Sequence, residues 1–472
     1  MRSLLPDPMA GAPHGTKPHT MTDRPTAPTA PAAPTFWQAF AYWLKLGFLS
    51  FGGPAGQIAL MHEDLVERKR WISEKRYLHA LNYCMVLPGP EAQQLATYLG
   101  WLMHRTWGGI VAGGLFVLPS LLILMVLSWV YMRFGDVPAV AGALYGIKPA
   151  VTAIVVSAAH RIGSRALKNR LLWGVAIAAF VAIFALNLPF PLIVLAAGLV
   201  GHVGGRVAPK LFVVGGGHGA AKAGSGPAVI DDDTPTPAHA LFSWARFVRV
   251  LLVCLGLWAA GLGALTLVCG WDGALTQMAW FFTKAALLTF GGAYAVLPYV
   301  YQGAVDHFHW LTAPQMMDGL ALGETTPGPL IMVVSFVGFV GGWTQALFGP
   351  DTLGLAGVVA AAVVTFFTFL PSFMFIFLGG PFIESTHGKL QFTAPLTAIT
   401  AAVVGVIVNL AVFFAFHVLW PQGWSGGVDG LALLIGLGAA FALFRLKTGV
   451  ITLVLGSAVA GLVLSWARTA WG

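Results

Sequence analysis

Apolar residues fill this chain in long blocks separated by short polar or basic loops, and inside four of the blocks glycine and proline interrupt the run. The first block, about 36–60, breaks at Gly52-Gly53-Pro54 and leads into a basic loop with Arg68, Lys69, Arg70, Lys75 and Arg76. The second, 77–103, breaks at Pro88-Gly89-Pro90; unbroken blocks follow at 107–131 and 139–159, and then a basic stretch from His160 to Arg170. Two shorter blocks, 171–186 and 190–204, meet at Asn187-Leu188-Pro189. Beyond an interval rich in Gly, Ala and Pro, one additional block (247–269) precedes the same order again: broken runs at 277–300 and 314–341, long runs at 354–379 and 391–419, short ones at 430–444 and 448–467. Many of these blocks approach the ~20 residues that span a bilayer as a helix, and the ten-residue alternation of barrel strands is absent. The pattern predicts an all-α polytopic membrane protein with broken or re-entrant helices.

The repetition has a fixed register. Lys45 with Ser50-Phe51-Gly52-Gly53 matches Lys284 with Thr289-Phe290-Gly291-Gly292, Trp71 matches Trp310, and Pro88-Gly89-Pro90 matches Pro327-Gly328-Pro329. The differences 284 − 45, 310 − 71 and 327 − 88 are all 239. Leu118-Pro119-Ser120 pairs with Leu370-Pro371-Ser372 after a 13-residue insertion. The expected organisation is a disordered tail (1–35), a first repeat (36–204), a flexible cytoplasmic linker (205–246) containing a solvated Asp231-Asp232-Asp233 run, a connecting span (247–275) and a second repeat (276–468).

Composition agrees and narrows the classes. The chain is 57% hydrophobic and 9% charged, where a soluble domain carries roughly 25% charged residues. Its net charge of +8 is gathered in loops, as membrane topology requires of cytoplasmic segments, so nucleic acid is not expected as a partner. Cys84, Cys254 and Cys269 lack metal-binding spacing, and His62-Glu63-Asp64-Leu65-Val66 lacks the second histidine of a zinc-protease helix. No nucleophile–base set is visible, so neither enzyme activity, a metal nor a cofactor is expected.

Loop charge predicts orientation. Loop 62–76 carries five Lys or Arg, whereas its counterpart 301–315 carries none. Opposite sides of the membrane account for this most simply, and the single extra span supplies the inversion. Loops 62–76 and 160–170 are both basic, which requires an even number of crossings between them. Folding the Pro88-broken block back on itself restores that parity, and re-entrant backbone is tolerated where protein or a wet cavity surrounds it.

The breaks concentrate the candidate chemistry, as broken repeats do at a transporter's midplane. Gly52, Gly53 and Pro54 in one copy, and Gly291 and Gly292 in the other, can start half-helices whose freed N–H groups bind an anion; the bland alternative is close helix packing. Lys45 and Lys284 precede the breaks by seven residues. A lysine at the membrane centre costs roughly 2.5–3.5 kcal/mol, so each pairs with an anion or snorkels to the interface. Around Pro88, Gly89 and Pro90 stand Glu91 and Gln94; before Pro327, Gly328 and Pro329 stand Glu324, Thr325 and Thr326. The glutamates are candidates for gating or proton coupling, with a helix-start carboxylate in trapped water as the alternative. Ser50, Thr289, Gln94, Thr325 and Thr326 are candidate hydrogen-bond partners for substrate.

At these residues the chain resembles the chromate ion transporter family in its long two-domain form. Lys45…Phe51-Gly52-Gly53-Pro54, Arg68-Lys69-Arg70-Trp71, Pro88-Gly89-Pro90-Glu91 with Gln94, and Phe290-Gly291-Gly292, Trp310 and Glu324…Pro327-Gly328-Pro329 carry the likeness, which extends over about 36–468. The resemblance implies a multi-pass protein of the bacterial inner membrane that exports chromate and confers resistance. It also implies sulfate as look-alike substrate and export driven by membrane potential or proton gradient; a homodimer is compatible with it. Uptake or exchange of sulfate or another oxyanion is the alternative, ahead of a membrane enzyme or channel. Ala293 stands where the first copy has Pro54, a departure from the motif.

Overall fold

The structure is a computed structural model that describes residues 31–51, 53–212, 227–386 and 393–471. Among the described residues it is helical, its one β feature being an isolated bridge between Ile72 and Ile230. The first copy comprises α1 (Phe36–Leu49), α2 (Gly53–His62), α3 (Glu74–Cys84), α4 (Glu91–Phe134), α5 (Pro138–Ala166), α6 (Arg170–Phe184) and α7 (Phe190–Val207). After α8 (Trp244–Cys269) come α9 (Ala274–Leu287), α10 (Ala293–Tyr301), α11 (Ala313–Thr325) and α12 (Val333–Thr344). Then follow α13 (Leu353–Thr386), α14 (Thr393–Leu419), α15 (Gly430–Phe444) and α16 (Val450–Trp471). Seven of the described helices are long and apolar enough to cross a membrane, and large apolar side chains such as Leu252, Leu267 and Trp466 point outward. This is an all-α polytopic membrane protein.

The sequence offset reappears as an offset in geometry. Both copies widen into one π-helical turn after the first break, at Glu63–Arg68 and Gln302–His307, and 302 − 63 is again 239. Arg70 and His309 then take the same left-handed backbone, φ 51° in each. Ser73 and Thr312 cap α3 and α11 by accepting from the N–H three residues on. In front of these caps Trp71 packs on Tyr42, as Trp310 packs on Phe281 and Phe282.

Long α4 is a hairpin. His104 and Arg105 leave helical geometry (φ −131° and 56°), and the chain doubles back on itself. A Cβ on Gly100 would lie 2.4 Å from the Gly108 carbonyl oxygen, and one on Gly108 would lie 2.2 Å from that of Gly100. The arms therefore touch backbone to backbone, which only glycine allows. The same small-residue logic interlocks the copies. A Cβ on Gly146 of α5 would meet the Ser457 carbonyl oxygen of α16 at 2.0 Å, and one on Gly405 of α14 would meet that of Ala176 of α6 at 1.9 Å.

Hydrogen bonds sort the helix ends into two groups. At one end His104 bonds Pro34, His239 bonds the Trp101 carbonyl, and Arg76 reaches Glu384 and the carbonyls of Asp231 and Thr234. At the other, Tyr131 donates to Asp318, Tyr145 to Asp429, and Gln277 to the Trp271 carbonyl. The pairs α1–α2 and α3–first arm of α4 start and finish at the first end; α9–α10 and α11–α12 do so at the second. Residues 227–243, expected as part of a flexible linker, are docked here. Ile230 pairs with Ile72 and, with Ala240, is buried in the core around α1–α4. The Asp231 run keeps Asp232 and Asp233 exposed, as expected, but it is also an ordered turn in which Asp231 accepts from Ala228 and Asp232 accepts from Ser73. Backbone pairing and two apolar anchors hold it, features that its composition conceals.

Candidate functional site

The two Pro-Gly-Pro breaks are wired across the duplication. The Gly89 N–H donates to the Thr289 carbonyl at 2.8 Å, and the Gly328 N–H donates to the Ser50 carbonyl at 2.8 Å. These bonds are counterparts, since 328 − 89 and 289 − 50 are both 239. Gly89 and Gly328 need glycine, with φ 128° and 102°. Their N–H groups are consumed by the partner copy, so they do not serve as anion donors; they fix one copy's break against the other's. Gln57 reinforces the crossing by donating to the carbonyls of Ser50 and Gly328 at 3.0 and 2.5 Å. Gln94 donates to the Pro88 carbonyl at 2.8 Å, and its own carbonyl oxygen is unpartnered. Pro90 and Pro329 precede the following helical turns as extended residues, as proline's fixed φ favours.

The Phe-Gly-Gly breaks have the opposite character. Gly53 and Gly292 take φ 72° and 96°, and a Cβ on either would meet nothing within 4 Å. Gly291 (φ 80°) would meet only Thr400, at 3.7 Å. Open space therefore faces the starts of α2 and α10. Among the described residues no acceptor bonds the N–H groups of Gly292, Ala293 and Tyr294, and these groups carry the positive end of the helix dipole. Pro54 occupies the first turn of α2, where its missing N–H costs nothing. Gly52 lies outside the described residues.

Charged candidates lie unequally around this centre. Lys45 is exposed, without a hydrogen bond or ion pair among the described residues. The Lys284 ammonium lies 5.6 Å from the centre of the Trp280 ring, one turn back along α9, a contact worth about 0.5–1 kcal/mol at an exposed site. Glu91 begins the first arm of α4, half-buried and facing that arm's positive dipole end. Glu324 accepts from the Tyr294 hydroxyl, and Arg161 is near enough to act electrostatically on both. The hydroxyls of Ser50, Thr289, Thr325 and Thr326 donate to carbonyls of Leu46, Ala285, Leu322 and Gly323.

Sequence reasoning missed several groups. Arg161 was legible only as part of the basic stretch from His160 to Arg170, and Tyr294 and Gln57 lay inside the broken blocks with nothing in the pattern to single them out. Two buried acids also escaped it. Glu384 bonds Arg76 at 3.2 Å and Tyr98 at 2.5 Å, and Asp318 bonds Lys148 at 3.5 Å and Tyr131 at 2.9 Å. Each acid–base–tyrosine set closes one end of the molecule. Acidic residues inside apolar runs (Asp318 and Glu384) were the available signal.

No solved structure matches this chain. It is 32% identical over 392 residues to a chromate transport protein of Cupriavidus metallidurans, covering 83% of this chain and 84% of the relative. To a chromate transport protein of Pseudomonas aeruginosa it is 32% identical over 437 residues, 90% and 91% of the two chains. An uncharacterized transporter of Methanocaldococcus jannaschii is 26% identical over 434 residues, 91% of this chain and 95% of that one. The chromate transporter family model matches residues 37–202 and 276–462. The matched segments cover both copies with their four breaks, and the chain belongs to the chromate transporter family.

Proposed function

We propose that this protein exports chromate across the bacterial inner membrane and thereby confers resistance. The observation that carries the reading is the free space beside Gly53 and Gly292 at the starts of α2 and α10, together with N–H groups at the start of α10 that have no acceptor among the described residues. A dianionic tetrahedral oxyanion requires such donors in a site shielded from bulk water. Arg161 adds positive charge beside α10, and family membership and the relatives' names supply the substrate class. Lys45, exposed on α1 seven residues before the first break, attracts the anion; Glu324, bonded to Tyr294, exchanges the coupling proton or gates.

The same reading makes the two copies inverted repeats in the membrane, each with two re-entrant broken pairs. In its favour, the broken pairs of one copy start and finish at one end of the molecule and those of the other at the opposite end. The one long helix between the copies, α8, carries the chain across. The basic loop 62–76 then faces the cytoplasm and loop 301–315 the outside.

Inside-out vesicles loaded with labelled chromate test the transport reading, with sulfate as competitor. Saturable, energy-dependent loading is expected, and Lys45→Ala should abolish it while the protein still reaches the membrane. Vesicles that load sulfate but no chromate would replace export of chromate by exchange of its look-alike. Cysteines introduced in loops 62–76 and 301–315 should label from opposite sides; labelling from one side rejects the inversion.

A further inference from the structure

Hydroxyls near the breaks are of two kinds. Ser50, Thr289, Thr325 and Thr326 have spent their single proton on a carbonyl of their own helix, at 2.6, 2.7, 2.8 and 2.9 Å. They can accept from elsewhere but cannot donate. Ser120 on α4 and Ser372 on α13 are buried, and neither Oγ has a partner among the described residues.

These two serines are counterparts, each following a proline inside its helix (Pro119 and Pro371). Each lies against the break glycine of the other copy. The position of a Cβ on Gly89 is 2.6 Å from Ser372 Oγ and 2.6 Å from Gln94 Nε2; that on Gly328 is 3.3 Å from Ser120 Oγ. The duplication thus sets two idle O–H donors on either side of the point where the breaks cross. A buried hydroxyl without a partner lowers stability, and a cost retained in both copies at one centre marks a group held ready for something absent from the fold. An oxyanion supplies the missing acceptors. Gln94 Oε1, unpartnered beside the same glycine, distinguishes the two sides, because Val333 stands at the matching position of the second copy.

We propose that Ser120 and Ser372 are the side-chain donors to the transported oxyanion and set discrimination among tetrahedral anions. This rests on the transport reading above. The test compares wild type with Ser120→Ala, Ser372→Ala and Ser128→Ala in inside-out vesicles, over a series of labelled chromate concentrations with and without sulfate. Ser128 Oγ is also buried and unpartnered on α4 but lies against no break glycine, so it controls for loss of an idle hydroxyl. Each break serine, once changed to alanine, should raise KM at least about tenfold, the loss expected for one hydrogen bond to a charged group. The chromate-to-sulfate competition ratio should shift, while Ser128→Ala behaves as wild type. Purified Ser120→Ala and Ser372→Ala should melt no lower than wild type, since no bond within the fold is lost; Ser→Cys, close in volume with a weak donor, should fall between. Wild-type KM in both alanine variants, beside a wild type that transports chromate, overturns the inference and leaves the transport reading standing. A raised KM with lowered melting temperature also overturns it, in favour of packing. A wild type that loads no chromate removes both.

Discussion

Replacing Arg76 by alanine should destabilise the protein far more than loss of a surface charge. Its guanidinium is 3.2 Å from Glu384, and the two side chains are 15% and 6% exposed. The same arginine donates to the carbonyls of Asp231 and Thr234, at 3.1 and 2.5 Å, and so pins residues 227–243 to α3. Removing one partner of a buried pair costs about 3–5 kcal/mol, chiefly because the other charge is left uncompensated. The Tyr98 hydroxyl still donates to Glu384 at 2.5 Å, which favours the lower part of that range. Glu384→Gln keeps both neighbours and removes the charge, so the double variant Arg76→Ala/Glu384→Gln should cost less than the sum of the singles by about 1–3 kcal/mol. Urea unfolding of the purified protein, followed by tryptophan fluorescence, measures all three. In parallel, a cysteine at Pro235 should label faster in Arg76→Ala, because the docked segment loses its clamp. A loss under about 1 kcal/mol with additive singles would mean a pair no stronger than an exposed one, and the clamp would be refuted.

At the other end, Asp318→Asn removes the partner of Lys148 but keeps an acceptor for Tyr131; a loss of about 1–3 kcal/mol in the same unfolding assay is expected. Glycine substitutions should separate the two kinds of break. Gly89→Ala and Gly328→Ala combine a left-handed backbone with close neighbours (2.6 and 2.8 Å to the added Cβ), which should cost about 2–5 kcal/mol and deplete the protein from membranes. Gly53→Ala and Gly292→Ala carry the backbone cost alone, about 1–2 kcal/mol, and should leave membrane amounts near normal while chromate loading falls. Docking of residues 227–243 should also respond to pH. Burial, helped by Arg105 and Arg246, lowers the His239 pKa below its ordinary 6.5, although its bond to the Trp101 carbonyl opposes this. The undocked histidine therefore binds more protons in that window, so docking is complete above the ordinary value and weakens as pH falls below it. Hydrogen-exchange protection factors in 227–243, each taken against the intrinsic rate at its own pH, that are the same at pH 5.5 and 7.5 would remove His239 from this role.

Much of the architecture was legible because glycine and proline are read by the backbone itself. The register of 239 placed the π-turns, the left-handed Arg70 and His309 and both capped starts in equivalent positions. The interruption between the blocks 77–103 and 107–131 fell on the reversal at His104 and Arg105. The destination of each hydrogen bond was not legible. Nothing in Pro-Gly-Pro reveals that its N–H is spent on the partner copy, nor does Ser50 reveal a proton already given to Leu46. For the same reason the Leu-Pro-Ser repeats could be read as a marker of duplication but not as idle donors. Residues 227–243 were obscured because their anchors sit in two short apolar triplets, Ala228-Val229-Ile230 and Ala240-Leu241-Phe242, split by a run of aspartates, threonines and prolines.

Where the copies agree, their shared residues build the frame; where they differ, they make its two sides chemically distinct. The crossing bonds, the break glycines and the two serines recur at matching positions. Gln57 answers to Val296, Gln94 to Val333, Glu91 to Leu330, and Glu324 to Met85, so each polar group has an apolar counterpart. Two identical halves would surround the crossing with the same groups on either side. Because the Ser50–Gly328 and Thr289–Gly89 bonds share one centre, a shift of one break pulls on its counterpart. Glu324 bonds Tyr294 with Arg161 nearby, while Gln57 and Gln94 bond the carbonyls of Gly328 and Pro88. A shared frame thus couples the breaks, while the polar groups it carries differ from one copy to the other.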